Sequence, residues 1–522
     1  MAHYTINFKP DNKQVSIHEG ASLLEAAGQA GIILNTSCGG KGICGKCKVK
    51  IEDNIEVLAC QRKIKSNLTV TIPQESRYYE QKILTKGLKA KQKAKPDIYK
   101  KYTRLADDKA ILGLAIDIGT TTVVVKLLDL RSGEHIATEA AMNPQAKAGD
   151  DCISRINYAN NEIKEAELNK LIIDCINDLI EKGAHKGGAE IKDIYEAAVV
   201  GNATMNHLFL KLPVDGLGKA PYKAFSTEGK DVPGKQLGIN INLAANIHTV
   251  ELIAGFLGAD TVGAALASEI ADNDKVTLLV DIGTNGEIVL GNKEKLLAAS
   301  CAAGPAFEGA RIKCGSRAVD GAIQAVVIGD GDIDIDVIGQ GGARTICGSG
   351  LLDAAAVMLE LEIVEPTGRF GKPQKILPKI LTRMTECQGE QAFILAKSPQ
   401  HVVFIGQRDI RQFQLAKGAI RAGIKILQEK LGISDEDIER IYLAGAFGNF
   451  LRPQSALRTG LLPNVKCEKI TFIGNAALSG AEMILQSSQW RKKAKSLTKK
   501  IHYIELANEK SFQQIFAESM GF

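Results

Sequence analysis

Aromatic residues are few, at 5% of the chain with a single tryptophan. Glycine, by contrast, numbers 51, and the two together suit an α/β architecture with many tight turns. Charge of one sign is lacking as well. Sixty-five basic residues stand against 60 acidic ones, a net of +5, too small an excess over this length to indicate a nucleic-acid binder. No run of about eighteen apolar residues occurs, so no membrane span is expected. No apolar segment follows a basic start, so no signal peptide is expected, and the cytoplasm is the expected compartment. Eleven cysteines in a chain without an export signal read as reduced thiols or metal ligands, not as a disulfide framework.

What is present is a repeated figure. Leu114-Ala115-Ile116 runs into Asp117-Ile118-Gly119-Thr120-Thr121-Thr122 and then into Val123-Val124-Val125. Val276 to Val280 runs into Asp281-Ile282-Gly283-Thr284-Asn285-Gly286-Glu287 and then into Ile288-Val289-Leu290. Each copy reads strand, acid, glycine turn, strand. Glycine lets backbone N–H groups approach a phosphate, and a threonine hydroxyl adds a donor. The aspartate at the strand end can hold a magnesium ion, usually through water. Two such turns facing one another would grip a nucleoside triphosphate from both sides. Two unrelated hairpins with shared turn chemistry are the plainer reading of either copy alone; the repetition between apolar strands favours a phosphate site.

The 522 residues should hold about three or four domains. In the first, residues 1–75, Tyr4 to Phe8 and Gln14 to His18 alternate like a hairpin. Ala21 to Ala30 has helical spacing, with Leu23, Leu24 and Ala27 on one face. Cys38, Cys44, Cys47 and Cys60 follow, spaced C-x5-C-x2-C-x12-C. Four thiolates can hold a 2Fe–2S cluster. The glycines between them let the loop wrap closely and aim N–H groups at sulfur. Zinc is the alternative, but zinc sites usually arrange cysteines as two close pairs. The near-P-loop Gly40-x4-Gly45-Lys46-Cys47 lacks the hydroxyl that holds magnesium and is set aside. This unit resembles the plant and adrenodoxin-type ferredoxins, with the x5 spacing nearer the adrenodoxin branch.

Residues 76–108 read as a lysine-rich linker, a solvated tether or an electrostatic guide for an acidic partner. Residues 109–265 and 266–486 read as two halves of a large domain, with 487–522 as a tail completing it. In the first half Glu162 to Lys182 is helical, Ala197 to Val200 is a buried strand, and Gln145 could orient an attacking water or simply serve as a turn residue. In the second, Gly304 opens a glycine-proline turn. Asp332, Asp334 and Asp336 alternate along a strand, where calcium binding is disfavoured because no loop gathers them. Cys347-Gly348-Ser349-Gly350 opens an apolar helix, and Arg411 to Leu431 is an amphipathic one. Ile441 to Ala444 is a strand ending in Gly445-Ala446-Phe447-Gly448-Asn449, where glycines let a flat base lie on the backbone. Cys301, Cys314 and Cys347 match no cluster spacing and read as buried thiols.

The ordered motifs DIGTTT, DIGTNGE and LAGAFGN resemble the two phosphate motifs and the adenosine motif of the acetate and sugar kinase, Hsp70 and actin superfamily. The fold this implies is an α/β one: an N-terminal β-grasp ferredoxin, a linker, and two duplicated ribonuclease-H-like lobes closing over ATP and Mg2+. A ferredoxin fused to such an ATPase resembles the reductive activators of corrinoid proteins, which serve methyl-transfer systems of anaerobes, including O-demethylases and the acetyl-CoA pathway. GPAFEGARI, CGSGLLDA and AGAFGN look like this family. The resemblance implies ATP-driven, one-electron reduction of Co(II) to Co(I) in a corrinoid partner, fed by a low-potential electron donor. Cys38, Cys44, Cys47 and Cys60 would then carry the cluster. Gly119, Thr120, Thr121, Thr122, Gly283, Thr284, Asn285, Gly286 and Gly304 would lie along the phosphates, and Asp117 and Asp281 would position magnesium. Gly445, Ala446 and Gly448 would flank the adenine. Some members carry a further domain between linker and ATPase; here only residues 102–112 separate them, which leaves a homodimer open. The rival reading is a redox-regulated small-molecule kinase of the same superfamily. An Hsp70-like binding module would need a substrate domain after the ATPase, and only about 35 residues follow Gln486.

Overall fold

The computed structural model describes residues 2–30, 32, 34, 42, 47–52, 55–73, 76, 95–106, 109–149, 151–283, 285–309, 311–372, 378–399, 401–445 and 451–522. Cys38, Cys44, Thr284, Ala446 and Gly448, together with most of the expected linker, lie outside that set.

Three separate apolar cores form. The first belongs to a five-stranded sheet of β1 (His3–Lys9), β2 (Lys13–His18), β3 (Lys48–Ile51), β4 (Ile55–Leu58) and β5 (Leu68–Thr71), ordered β2-β1-β5-β3-β4 with β1 and β5 parallel. The helix Leu23–Gln29 packs on it. Ser22 and Glu25 close a reciprocal capping box at the helix start, each satisfying the other's backbone N–H. Leu23, Ala26 and Ala27 face the core, with Leu24 at its margin. The arrangement is the β-grasp expected.

The second core surrounds a six-stranded sheet of β6 (Leu112–Ile118), β7 (Thr122–Asp129), β8 (His135–Met142), β9 (Ile194–Gly201), β10 (Lys230–Pro233) and β11 (Asn246–Thr249). Its order is β10-β11-β9-β6-β7-β8. The three strands β6, β7 and β8 form an antiparallel meander, and β9 returns parallel to β6. A central strand covered on both faces needs a continuous apolar run, which is why Leu114, Ala115 and Ile116 are all wholly buried.

The third core repeats that plan. β12 (Thr277–Ile282), β13 (Gly286–Gly291) and β14 (Leu296–Cys301) form the meander. Six more strands in two small sheets are inserted after it: β15 (Ala322–Ile328), β16 (Ile333–Val337), β17 (Thr345–Ile346), β18 (Met384–Cys387), β19 (Glu390–Lys397) and β20 (Val402–Gly406). β21 (Arg440–Ala444) and β22 (Ile470–Gly474) then lie parallel beside β12, and β23 (Ile501–Tyr503) beside β14, in the order β22-β21-β12-β13-β14-β23. The duplication read from the two acidic turns is therefore a duplication of sheet topology.

The expected boundaries shift in three places. The helix Ala259–Ala267 packs in the first lobe's core, so a break at 265 would cut it, and the second sheet begins only at Thr277. The helix Ala476–Gln486 follows β22 of the second lobe yet packs on the first, as do Trp490, Ala494 and Leu497 of the helix Ser488–Lys500. The chain crosses between lobes here before β23 and the helix Phe512–Met520 return it to the second. Finally, residues 95–106 are not a free tether. Ile98, Tyr102 and Ala106 are buried against the first lobe.

Candidate functional site

The two acidic turns are built alike. β6 ends in a turn closed by the Gly119 N–H donating to Thr122 O at 2.9 Å; β12 ends in one closed by the Gly283 N–H donating to Asn285 O at 2.9 Å. Asp117 and Asp281 occupy the matching strand ends, both half-buried. Burial pushes each carboxyl up to about 7, with the Asn475 hydrogen bond (Nδ2 to Asp117 Oδ2, 2.8 Å) working the other way on Asp117. Two acids that the motif reading did not assign join them. Asp260, at the start of Ala259–Ala267, and Glu287, directly across the β12–β13 ladder from Asp281, are also raised by burial. The four are in mutual electrostatic reach: Asp260 acts on Asp117, Asp281 and Glu287, and Asp117 acts on Asp281. Among the described residues no lysine or arginine contributes to any of these shifts.

Such a cluster is unfavourable until a cation neutralises it, and an all-oxygen donor set suits a hard cation such as Mg2+. Among the described residues no three acidic, thiol or imidazole side chains converge as a direct metal shell. Magnesium keeps water and takes phosphate oxygens alongside one or two carboxylates.

The first turn is held from beneath. Asn143 donates from its Nδ2 to Gly119 O (2.8 Å) and from its backbone N–H to Thr121 O (2.9 Å). Arg155, wholly buried, donates to Thr120 O at 2.6 Å and Gly149 O at 2.9 Å. Asn202 caps the helix Ala203–Leu210 and donates to Thr120 Oγ1 at 2.9 Å, with Cys152 Sγ 3.4 Å from the same hydroxyl. These contacts fix the peptide planes of the turn.

Gln145 does not fit the water-orienting role. Its side chain is wholly buried, donating from Nε2 to Leu168 O at 2.9 Å and accepting from Arg155 at 3.4 Å. Both ends of the amide are used in fastening the turn's support. Gly304 lies at a φ of +78° with open space where a side chain would stand, at the head of the Pro305–Glu308 turn. Gly445, at a φ of +81°, brings the start of the third motif onto the second: a Cβ there would stand 2.2 Å from Asp281 Oδ1. Only glycine allows that approach.

In the N-terminal unit, the two described thiols of the motif are buried with their sulfurs 3.3 Å apart, at Cys47 and Cys60. A disulfide would need about 2.05 Å, so the two sulfurs are adjacent but not bonded to each other. Gln61 Nε2 lies 3.5 Å from Cys60 Sγ, the kind of donor that stabilises charge on a ligating sulfur. The donor set fits an iron–sulfur cluster. Cys301, Cys314 and Cys347 each contact a different neighbour, Gly286 O, Val402 O and Ser349 Oγ. Burial pushes the Cys301 thiol up to about 12, and the three form no common site.

A β-grasp unit with paired thiols, joined to two ribonuclease-H-like lobes around an uncompensated acidic junction, defines a ferredoxin-fused ATPase of the acetate and sugar kinase, Hsp70 and actin class. Residues 6–65 match the 2Fe–2S iron–sulfur cluster binding domain, 112–273 the RACo middle region, and 275–522 the C-terminal domain of RACo, the ASKHA domain. The chain is 30% identical to the corrinoid activation enzyme RamQ of Eubacterium limosum, over 98% of each. It is 25% identical to the [Co(II) methylated amine-specific corrinoid protein] reductase of Methanosarcina barkeri, over 72% of this chain and 70% of that one. A solved structure, the reductive activator for corrinoid, iron–sulfur protein, superposes with a TM-score of 0.70 at 31% identity, over 99% of this chain and 98% of that one. The chain belongs to this family of corrinoid activation enzymes. It carries a 2Fe–2S domain and an ATP-binding domain. No described helix is long and apolar enough to cross a membrane.

Proposed function

We propose that this protein reduces the inactive Co(II) form of a corrinoid protein to Co(I), one electron at a time, at the expense of ATP. The observation that carries the reading is that one chain holds both an electron-carrying part and a nucleotide-binding part. The first is a buried thiol pair in a ferredoxin unit, the second an uncompensated carboxylate junction between two lobes. A bound 2Fe–2S cluster supplies the single electron, at about −400 mV for plant-type ferredoxins. Co(I) lies lower still, so the transfer is uphill, and each shortfall of about 59 mV costs a factor of ten in a one-electron equilibrium.

Cys38, Cys44, Cys47 and Cys60 hold the cluster in this reading. Asp117 and Asp281, with Asp260 and Glu287 behind them, place magnesium on the phosphates. Thr120, Thr121, Thr122, Thr284, Asn285 and the neighbouring glycines line the phosphates, and Gly445, Ala446 and Gly448 border the base. The residues of the junction never touch the electron. They bind ATP, and lobe closure biases the complex with the partner toward a state in which the cobalt is easier to reduce. A ligand shifts such an equilibrium only by its differential affinity for the two states. A low-potential donor refills the cluster.

The kinase alternative gains nothing from the relatives matched along most of the chain, whose names are those of corrinoid reductases and activators. The deciding experiment is a reconstituted assay of Co(II) loss with a low-potential reductant. Co(II) should be consumed further with ATP than without it; equal extents would remove the coupling.

A further inference from the structure

We propose that Asn475 is a positioning residue that ties the first phosphate turn to the tether of the iron–sulfur unit through the Ala476–Gln486 helix. The proposal rests on reading the junction as an ATP site, but not on the identity of the electron acceptor.

Asn475 stands at the crossing between lobes. The residue before it ends β22 of the second lobe's sheet, and the residue after it begins a helix packed in the first. Its amide does two things at once. Nδ2 donates to Asp117 Oδ2 at 2.8 Å, and Oδ1 accepts the Leu478 N–H at 2.8 Å as the helix cap. The carboxylate that faces magnesium is thus fixed by a side chain delivered from the opposite lobe's edge strand.

The helix is a stiff member, 11 residues and so about 17 Å long. Midway along it Gly480 meets Gly263 of the Ala259–Ala267 helix so closely that a Cβ on Gly480 would stand 2.2 Å from Gly263 O. The two backbones are in direct contact there, which seats the helix firmly on the first lobe. Glu482, two residues on, pairs with Lys126 of β7 at 2.5 Å.

The far end of the helix holds the tether. Gln486 O accepts the Asp97 N–H at 3.0 Å, and the Asp97 carboxylate takes the Ser488 N–H at 2.7 Å and the Ser488 hydroxyl. Beyond Asp97, Tyr102 donates to the buried Glu196, which also accepts from Arg491 at 2.7 Å. This strap, residues 95–106, is where the chain arriving from the ferredoxin unit joins the ATPase body. Nucleotide binding that displaces Asp117 or β22 acts on Asn475, and through its cap on the helix to whose far end the strap is fastened. Lobe closure supplies the two-state element that a coupling claim requires.

The test uses the full chain with its cluster in place, and the Mg2+ complex of a non-hydrolysable ATP analogue as the probe. Hydrogen exchange of the 95–106 backbone should change by about fivefold or more on adding the analogue, the lower range of ordinary site–site coupling. Asn475→Ser keeps a helix-capping oxygen but cannot reach Asp117, and it should abolish that response even at an analogue concentration that calorimetry shows to saturate the variant. A purely structural defect would alter exchange equally with and without the analogue. Asp97→Ala provides a second arm remote from the site. Coupling is reciprocal, so freeing the strap should change analogue affinity by about the same factor. Unchanged exchange in the wild type, an unaltered response in Asn475→Ser, or unaltered affinity in Asp97→Ala each overturns the proposal. Calorimetry separates these from failure of the ATP reading itself, in which the wild-type protein would bind no analogue and both ideas would fall together.

Discussion

The two phosphate turns grow from the same strand order and close with the same kind of hydrogen bond, yet differ in what faces their acids. The first rests on neutral and cationic donors from its own lobe: Asn143, Arg155 and Asn202 together engage Gly119, Thr120 and Thr121. The second is set apart by a like charge on each strand of its hairpin. At the position where the first has Val124 opposite Asp117, the second has Glu287 opposite Asp281. Like charges directly opposed across a ladder are destabilising. The first turn is therefore set by donors of its own lobe, while the acids between the lobes, two from each, wait for a cation to relieve them. Duplicated topology does not require duplicated energetics, and an ATPase whose binding must change shape gains from that asymmetry.

Removing a donor beneath the first turn and removing a charge beside the second should move stability in opposite directions. The largest effect belongs to Arg155→Ala, which strands the carbonyls of Thr120 and Gly149 in a buried site. The loss should be about 3 kcal/mol by urea titration of the nucleotide-free protein, at about 1–3 kcal/mol for each stranded group. Gly445→Ala comes next, at about 2 kcal/mol: it combines a left-handed backbone with a Cβ driven onto Asp281, and nucleotide affinity should fall with it. Glu287→Gln should instead stabilise the nucleotide-free protein at pH 8, by about 1 kcal/mol, while weakening the Mg2+–nucleotide complex about tenfold by calorimetry. If Arg155→Ala and Glu287→Gln shift stability in the same direction, the contrast between the turns is wrong.

The turns themselves were legible in sequence because everything they need is local: an apolar strand, an acid, glycines, a second strand. Asp260 and Arg155 were not, because each reaches the site from a separate element and carries no pattern of its own. A lone arginine between Ile153 and Ile156 looks like a helix surface until the fold buries it. The lobe boundaries failed for a related reason. Helical periodicity in Ala476–Gln486 shows that one face is apolar but not which lobe it faces. The linker reading went wrong at its end because lysine dominates the stretch, and Ile98, Tyr102 and Ala106 are three anchors in a charged background. Gln145 misled in the opposite way. Its residue type suited the chemistry, but Arg155 and Leu168 had already taken its amide.

The smallest expected effect is the sharpest test of where the charge lies. Asp117 and Asp281 have carboxyls raised to about 7 in the folded, nucleotide-free protein, against about 3.9 unfolded. A raised folded value means the folded state binds more protons between those limits. The stability this contributes is fully present below about pH 3.9 and is lost as pH rises through about 7. The nucleotide-free melting temperature should therefore fall between pH 5 and pH 8, and a double Asp117→Asn, Asp281→Asn variant should flatten that slope. Magnesium takes the deprotonated form, so binding must expel what the acids hold. At pH 6 about one to two protons should leave per Mg2+–nucleotide bound, and close to none at pH 8.5. Calorimetry in buffers of different ionisation enthalpy counts them directly. Asp281→Asn should lower the count at pH 6 by about one, whereas Arg155→Ala, which acts on peptide planes and not on charge, should leave it alone.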